Sequence, residues 1–241
     1  MNKLLLFTLM FLTLSGFAQQ NVVKVGLSGV YYGNMSLGYE RAISDNSSLN
    51  FNIGYWDMNT GIFDVDKYYF PNEDDVIFES FGKGFNTSID YRFYIGQNQK
   101  TFGFYMAPYL RYWNKAFYLS DIIPVSQMNN QRILFDIEAK ASSIGLGFQL
   151  GYHWLIYDKI SIDWYFLGIG LEKMNLNGKY NAPRHETFNY AYIEDDIWKT
   201  FEDVKFLHNK LSTEVTPDNL LLKLPLWLPG IKTGFTIGYA F

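Results

Sequence analysis

Working back from the C-terminus, large apolar side chains alternate with small or polar ones. Phe235, Ile237, Tyr239 and Phe241 stand against Gly234, Thr236, Gly238 and Ala240, the period of two that makes a β-strand with two unlike faces. The pattern recurs upstream. Ile144, Leu146, Phe148, Leu150, Tyr152 and Trp154 alternate with Ser143, Gly145, Gly147, Gln149, Gly151 and His153. Five more segments behave alike, over 23–28, 35–40, 49–56, 85–95 and 160–166, and a shorter one covers Phe102–Ala107. The periodicity therefore predicts eight strands.

Their connections sort into two kinds. Ser44–Ser48, Gly96–Lys100 and Tyr157–Lys159 are short and polar, and a tight turn is expected at Tyr32–Asn34. Asp57–Ser80, Ala116–Lys140 and Glu172–Ile231 are long. Short and long links alternate in this way between the two faces of a transmembrane barrel. A soluble sandwich, the competing all-β reading, has no reason to sort its links and keeps a polar outer face.

In the last link, Ile197, Phe201, Val204, His208 and Leu211 recur at three- and four-residue spacing beside Trp198, with Glu194, Asp195 and Asp196 ahead of them. That spacing predicts an amphipathic helix over 194–212, its acids placed where the helix dipole favours them. An apolar stretch, Leu220–Leu228, follows. This link is too apolar to stay unfolded, and a lid over the barrel mouth is the favoured place for its apolar face.

Composition narrows the class. Aromatic residues make up 19% of the chain although the mean hydropathy is only −0.10, as expected when apolar positions alternate with polar ones. After residue 18 no apolar run reaches the ~18 residues of a spanning helix. Residues 1–18 read as an export signal, with Lys3, an apolar Leu4–Leu14 core and small residues Gly16 and Ala18 at the cleavage position. Residues 19–241 then form the barrel domain. The 241-residue chain contains no cysteine and carries a formal charge of −4, which excludes disulfides, thiolate metal sites and an acylated N-terminal cysteine. A mild negative charge with no basic cluster argues against nucleic acid as a partner.

On these features the chain resembles the small outer-membrane β-barrel proteins, the OmpA-like and OmpX-like class. The resemblance rests on the strand pattern, on Ser36-Leu37-Gly38-Tyr39-Glu40-Arg41, and on the ending Gly234-Phe235-Thr236-Ile237-Gly238-Tyr239-Ala240-Phe241. It implies an all-β, eight-stranded, antiparallel up-and-down barrel in a bacterial outer membrane, surrounded by lipid and lipopolysaccharide. It also implies that Phe235, Ile237, Tyr239 and Phe241 form the signal read by the barrel-assembly machinery. It implies no single activity, because the fold carries pores, enzymes, adhesins and anchors alike.

The inward set comprises Lys24, Glu40, Asp90, Arg92, Tyr94, Tyr105, Arg111, Gln149, His153, Asp163 and Tyr165. Its ions must pair in so narrow a lumen, and a hairpin turning at Tyr32 puts Lys24 opposite Glu40. Tyr31, Tyr55, Trp56, Trp113, Tyr152, Trp154 and Trp164 are expected in the interfacial girdles. Asp57, Asp64, Asp66, Glu73, Asp74, Asp75 and Glu79 make an acidic loop, read as solvated in preference to cation-binding because it lacks a recognised ligand spacing. His185-Glu186-Thr187-Phe188-Asn189 lacks the second histidine of a zinc protease, and no catalytic, cofactor or metal site is assigned. The functional expectation is a structural or surface-interaction barrel with its lumen filled by side chains and an unidentified surface partner. A lipid A-modifying enzyme and a narrow solute pore are the alternatives.

Overall fold

The structure, a computed structural model, describes residues 21–58, 80–95, 101–125, 128, 131–182, 188–202 and 204–241. The export signal, most of the acidic loop and residues 183–187 lie outside them. The described residues form an all-β, antiparallel, up-and-down sheet of nine strands: β1 Asn21–Gly26, β2 Asn34–Ser44, β3 Ser47–Asp57, β4 Ser80–Ile95, β5 Gly103–Val125, β6 Gln131–Ile156, β7 Ile160–Asn181, β8 Ser212–Val215 and β9 Leu220–Ala240. Each strand from β1 to β7 pairs with the next, β7 pairs with β9, and β9 pairs back onto β1, so the sheet closes ring-like. The short β8 stands outside this circuit and adds to Leu220–Lys223 of β9. It was not expected from the sequence.

Turn chemistry sets one end of the ring. Tyr157 and Asp158 take φ of 50° and 55°, the left-handed pair that matches the twist of a two-residue hairpin, and join β6 to β7. Asn21, the first described residue, and Phe241 meet at the same end, where they exchange backbone hydrogen bonds of 2.9 and 3.2 Å. The first hairpin turns one residue earlier than expected, through a 3-10 turn at Val30–Tyr32 closed by Gly33 at φ 73°. Val22 therefore pairs with Glu40 and Lys24 with Gly38, which corrects the direct Lys24–Glu40 pairing to a diagonal one on the same face.

The strands differ widely in length. β1 has 6 residues, β2 and β3 have 11, but β5 has 23, β6 has 26, β7 has 22 and β9 has 21. On the side opposite Asn21 and Phe241, β5, β6, β7 and β9 rise beyond the rest as a tall wall. Much of the segments expected as the links Ala116–Lys140 and Glu172–Ile231 is therefore strand. A bulge between Tyr165 and Gly168 explains part of this difference: it turns both Phe166 and Leu167 outward and switches the inward positions of β7 from odd to even numbers.

Instead of one helix over 194–212 there are two, α1 Ala191–Glu202 and α2 Lys205–His208. They pack on the inner face of the wall. Ile193, Phe188 and Tyr190 are buried with Val125, Ile133, Phe135 and Leu220, and Ile197 packs against them. Leu211 joins Leu222, Leu224 and Leu226, with Trp198 and Leu207 alongside. Val204, expected on the apolar face, is exposed. No described helix is long and apolar enough to cross a membrane.

Candidate functional site: the lumen and its mouth

The lower part of the ring is apolar outside and ionic inside. Every strand of the ring shows large apolar residues outward, among them Val25, Leu37, Phe51, Ile89, Leu110, Phe148, Ile169 and Ile237, all exposed. Inward, Lys24, Glu40, Asp90, Arg92, Gln149, His153 and Asp163 are at most 2% exposed. Burial of so many ions is tolerable only if each is paired and hydrogen-bonded.

The pairing is dense. Lys24 Nζ donates to Glu40 and, at 2.7 Å, to Asp163. Arg92 bridges three carboxylates, at 2.7 Å to Asp90, 2.7 Å to Asp163 and 3.0 Å to Glu40. Lys232 Nζ stands 3.6 Å from Asp90. Three cations thus face three anions. Hydroxyls and an amide fill the remaining carboxylate lone pairs: Ser48 and Tyr94 donate to Glu40, Tyr105 to Asp163 at 2.8 Å, and Asn50 to Asp90 at 2.9 Å. The Arg92 guanidinium also lies 4.4 Å from the centre of the Tyr105 ring. Glycine makes room for this layer, since a Cβ on Gly151 would collide with the Tyr105 ring.

Arg111 belongs to a separate, higher layer. It pairs with Glu172, which also accepts from Ser143 at 3.1 Å and from Trp113 at 3.3 Å, while Arg111 donates to the Ile231 carbonyl at 2.8 Å. Glu172 and Lys232 were missed in the sequence because both lie in or beside the segment read as a link. The inward residues of β7 after its bulge were legible only if the break in alternation was recognised.

Of the expected girdle residues, Tyr31, Tyr55, Tyr152, Trp154 and Trp164 are exposed. Trp56 and Trp113 are corrected: both turn inward, Trp56 donating to the Tyr32 carbonyl at 2.9 Å and Trp113 to Glu172. Phe235 is half-buried, Ile237 and Tyr239 are exposed on the outer face of β9, and Phe241, just past its end, is exposed too.

His153 sits between Ser161, 2.8 Å from Nε2, and Tyr94, 3.0 Å from Nδ1. A hydroxyl beside an imidazole is the ground plan of an activated nucleophile. Here Ser161 is 0% exposed, and the same contacts complete the ionic layer.

Above Arg111 and Lys232 the lumen opens into a cavity of about 490 Å³ between the 3-10 turn, β2 to β5, β7 and β9. Among the described residues, none of those lining it comes from the helical segment. Among the described residues, the helices cover the inner face of the tall wall and not this part of the mouth, which refines the expected lid.

Comparison with known proteins adds little. No protein-family model matches the sequence, and no curated protein matches it. Among solved structures the chain is similar to the crystal structure of a major outer membrane protein from Thermus thermophilus, at 15% identity over 93% of this chain and 100% of that one, with a TM-score of 0.36. With a score that low, the functional reading falls to the geometry of the lumen and the wall.

Proposed function

We propose that the chain is an eight-stranded outer-membrane β-barrel, its lumen closed by side chains, which anchors a tall extracellular wall and its docked helices for contact at the cell surface. The observation that carries this reading is an inversion of polarity along single strands. In the lower part of β6, from Ile144 to Ile156, apolar residues face outward and Gly145, Gln149 and His153 face inward. In the upper part Ile133, Phe135 and Ala141 are the buried residues, while Asp136 and Lys140 are exposed.

A strand wholly in water needs only one of these arrangements. A strand that leaves lipid for water needs both. The twelve residue steps of the lower part, at ~3.3 Å each and tilted by ~45°, span about 28 Å, close to the ~30 Å hydrocarbon thickness. Lipid and lipopolysaccharide are the partners of the outer band, and the outward row Phe235, Ile237, Tyr239 and Phe241 suits recognition by the barrel-assembly machinery.

A side-chain plug distinguishes this reading from a pore. Single-channel recording on the reconstituted protein is expected to give no steps above the bilayer baseline, and regular conductance steps would contradict the closed lumen. Surface exposure is tested by treating intact cells with protease: cleavage within 188–219, with the remainder kept in the membrane fraction, is the expected pattern.

A further inference from the structure

The cavity above the ionic layers has a composition that neither plug nor wall requires. Three cationic side chains line it, Arg111, Lys115 and Lys232, and among the described residues none of those lining it is an acid. Arg111 is matched by Glu172 behind it and Lys232 by Asp90 below it. Lys115 has no ion-pair partner among the described residues. It is held instead over the Trp56 ring at 4.4 Å and near the Trp113 ring at 5.8 Å. Among the described residues, the chamber therefore carries one uncompensated positive charge on a positioned side chain. The Nε of Arg111 is also buried with no hydrogen-bond partner, a donor left over at the chamber floor.

Beside these cations, on β2 to β4, stands an amide wall. Asn34, Asn52 and Asn86 line the chamber, with Asn86 Nδ2 donating to Asn34 Oδ1 at 3.0 Å. Gly54 lies behind this pair, where a Cβ would come within 2.8 to 3.0 Å of both amides. Amides present donors and acceptors together, which suits hydroxyl groups, and the rings of Trp113 and Tyr165 offer apolar faces beside them. A volume of about 490 Å³ lies in the range of small-molecule sites and suits one or two sugar rings.

Resting on the barrel reading above, we infer that this chamber is a binding site for an anionic monosaccharide unit, its acid group held by Lys115 and its hydroxyls by the asparagine wall. Such a unit reaches the outer mouth from two sources, as a free solute or as part of a lipopolysaccharide core. Both present the same chemistry to the site.

The test is calorimetric titration of the protein, extracted from membranes in a sugar-free detergent, with glucuronate, glucose and acetate. Glucuronate is expected to bind at least tenfold more tightly than either of the others. Lys115→Gln is expected to weaken it about tenfold, the loss of one charge-assisted hydrogen bond, and Lys115→Arg to retain it. Competition by deacylated lipopolysaccharide core assigns the surface glycan as the source, and its absence assigns a free solute; either result upholds the site. No glucuronate binding, equal binding of acetate, or an unchanged Lys115→Gln variant would overturn it. Heat-dependent gel mobility on the same sample separates the two levels of failure, because a sample that never shows a compact barrel contradicts the fold reading instead.

Discussion

A carboxylate such as Glu40, 2% exposed, is stable in the lumen only because Lys24, Arg92, Ser48 and Tyr94 all direct protons at it. Removing it leaves Lys24 with Asp163 alone and the layer with one more cation than anions. Glu40→Ala is therefore expected to cost about 3–5 kcal/mol, read as a lower urea midpoint for unfolding from lipid vesicles. A midpoint within error of wild type would mean that the layer is hydrated and not closed. Gly151 tests the packing of the same layer. Alanine there is expected to displace Tyr105 and break its 2.8 Å hydrogen bond to Asp163. Gly151→Ala and Tyr105→Phe should then be markedly less than additive in the double variant, because both remove the same bond, whereas a simple sum would show the two positions to be independent. These lumen residues were legible in the sequence wherever alternation ran unbroken. Lys24, Glu40, Asp90, Arg92 and Asp163 could be read off, while the distance of Arg111 from them could not, since alternation gives a face and not a height.

At the scale of elements, the tall wall has the polarity of a water-exposed sheet, inverted relative to the ring below it. Leu220, Leu222, Leu224 and Leu226 face inward and are buried, whereas Lys223 and Pro225 face outward. The inversion made β9 hard to see before Ile231, because an apolar run beyond the expected strand reads as a link. The bulge in β7 hid Glu172 for the same reason. Helix character was legible from spacing, but the division into α1 and α2 was not, and the helical face was set by the wall it meets. Ile193, 3% exposed, sits in the contact between α1 and the wall. Ile193→Ala is expected to weaken docking by about 2–4 kcal/mol. Limited proteolysis should then cut within 188–219 several-fold faster while the heat-dependent gel shift of the barrel stays unchanged. Equal cleavage rates would show that the helices are held by something other than this contact.

The whole molecule depends on what surrounds the ring. Exposed apolar residues on every strand of the circuit form a belt, and a monomer in water rarely tolerates a continuous apolar patch of this kind. The sequence contains no cysteine, so single cysteines can be introduced without background and spin-labelled one at a time along 140–156 in the reconstituted protein. Within 144–156, labels at even positions should collide freely with oxygen, which concentrates in lipid, and be shielded from a water-soluble nickel chelate. Labels at odd positions should be shielded from oxygen. At 140, above the polarity inversion, the chelate should reach the label. Chelate access at 146, 148 and 154 equal to that at 140 would contradict the membrane-spanning ring and everything built on it.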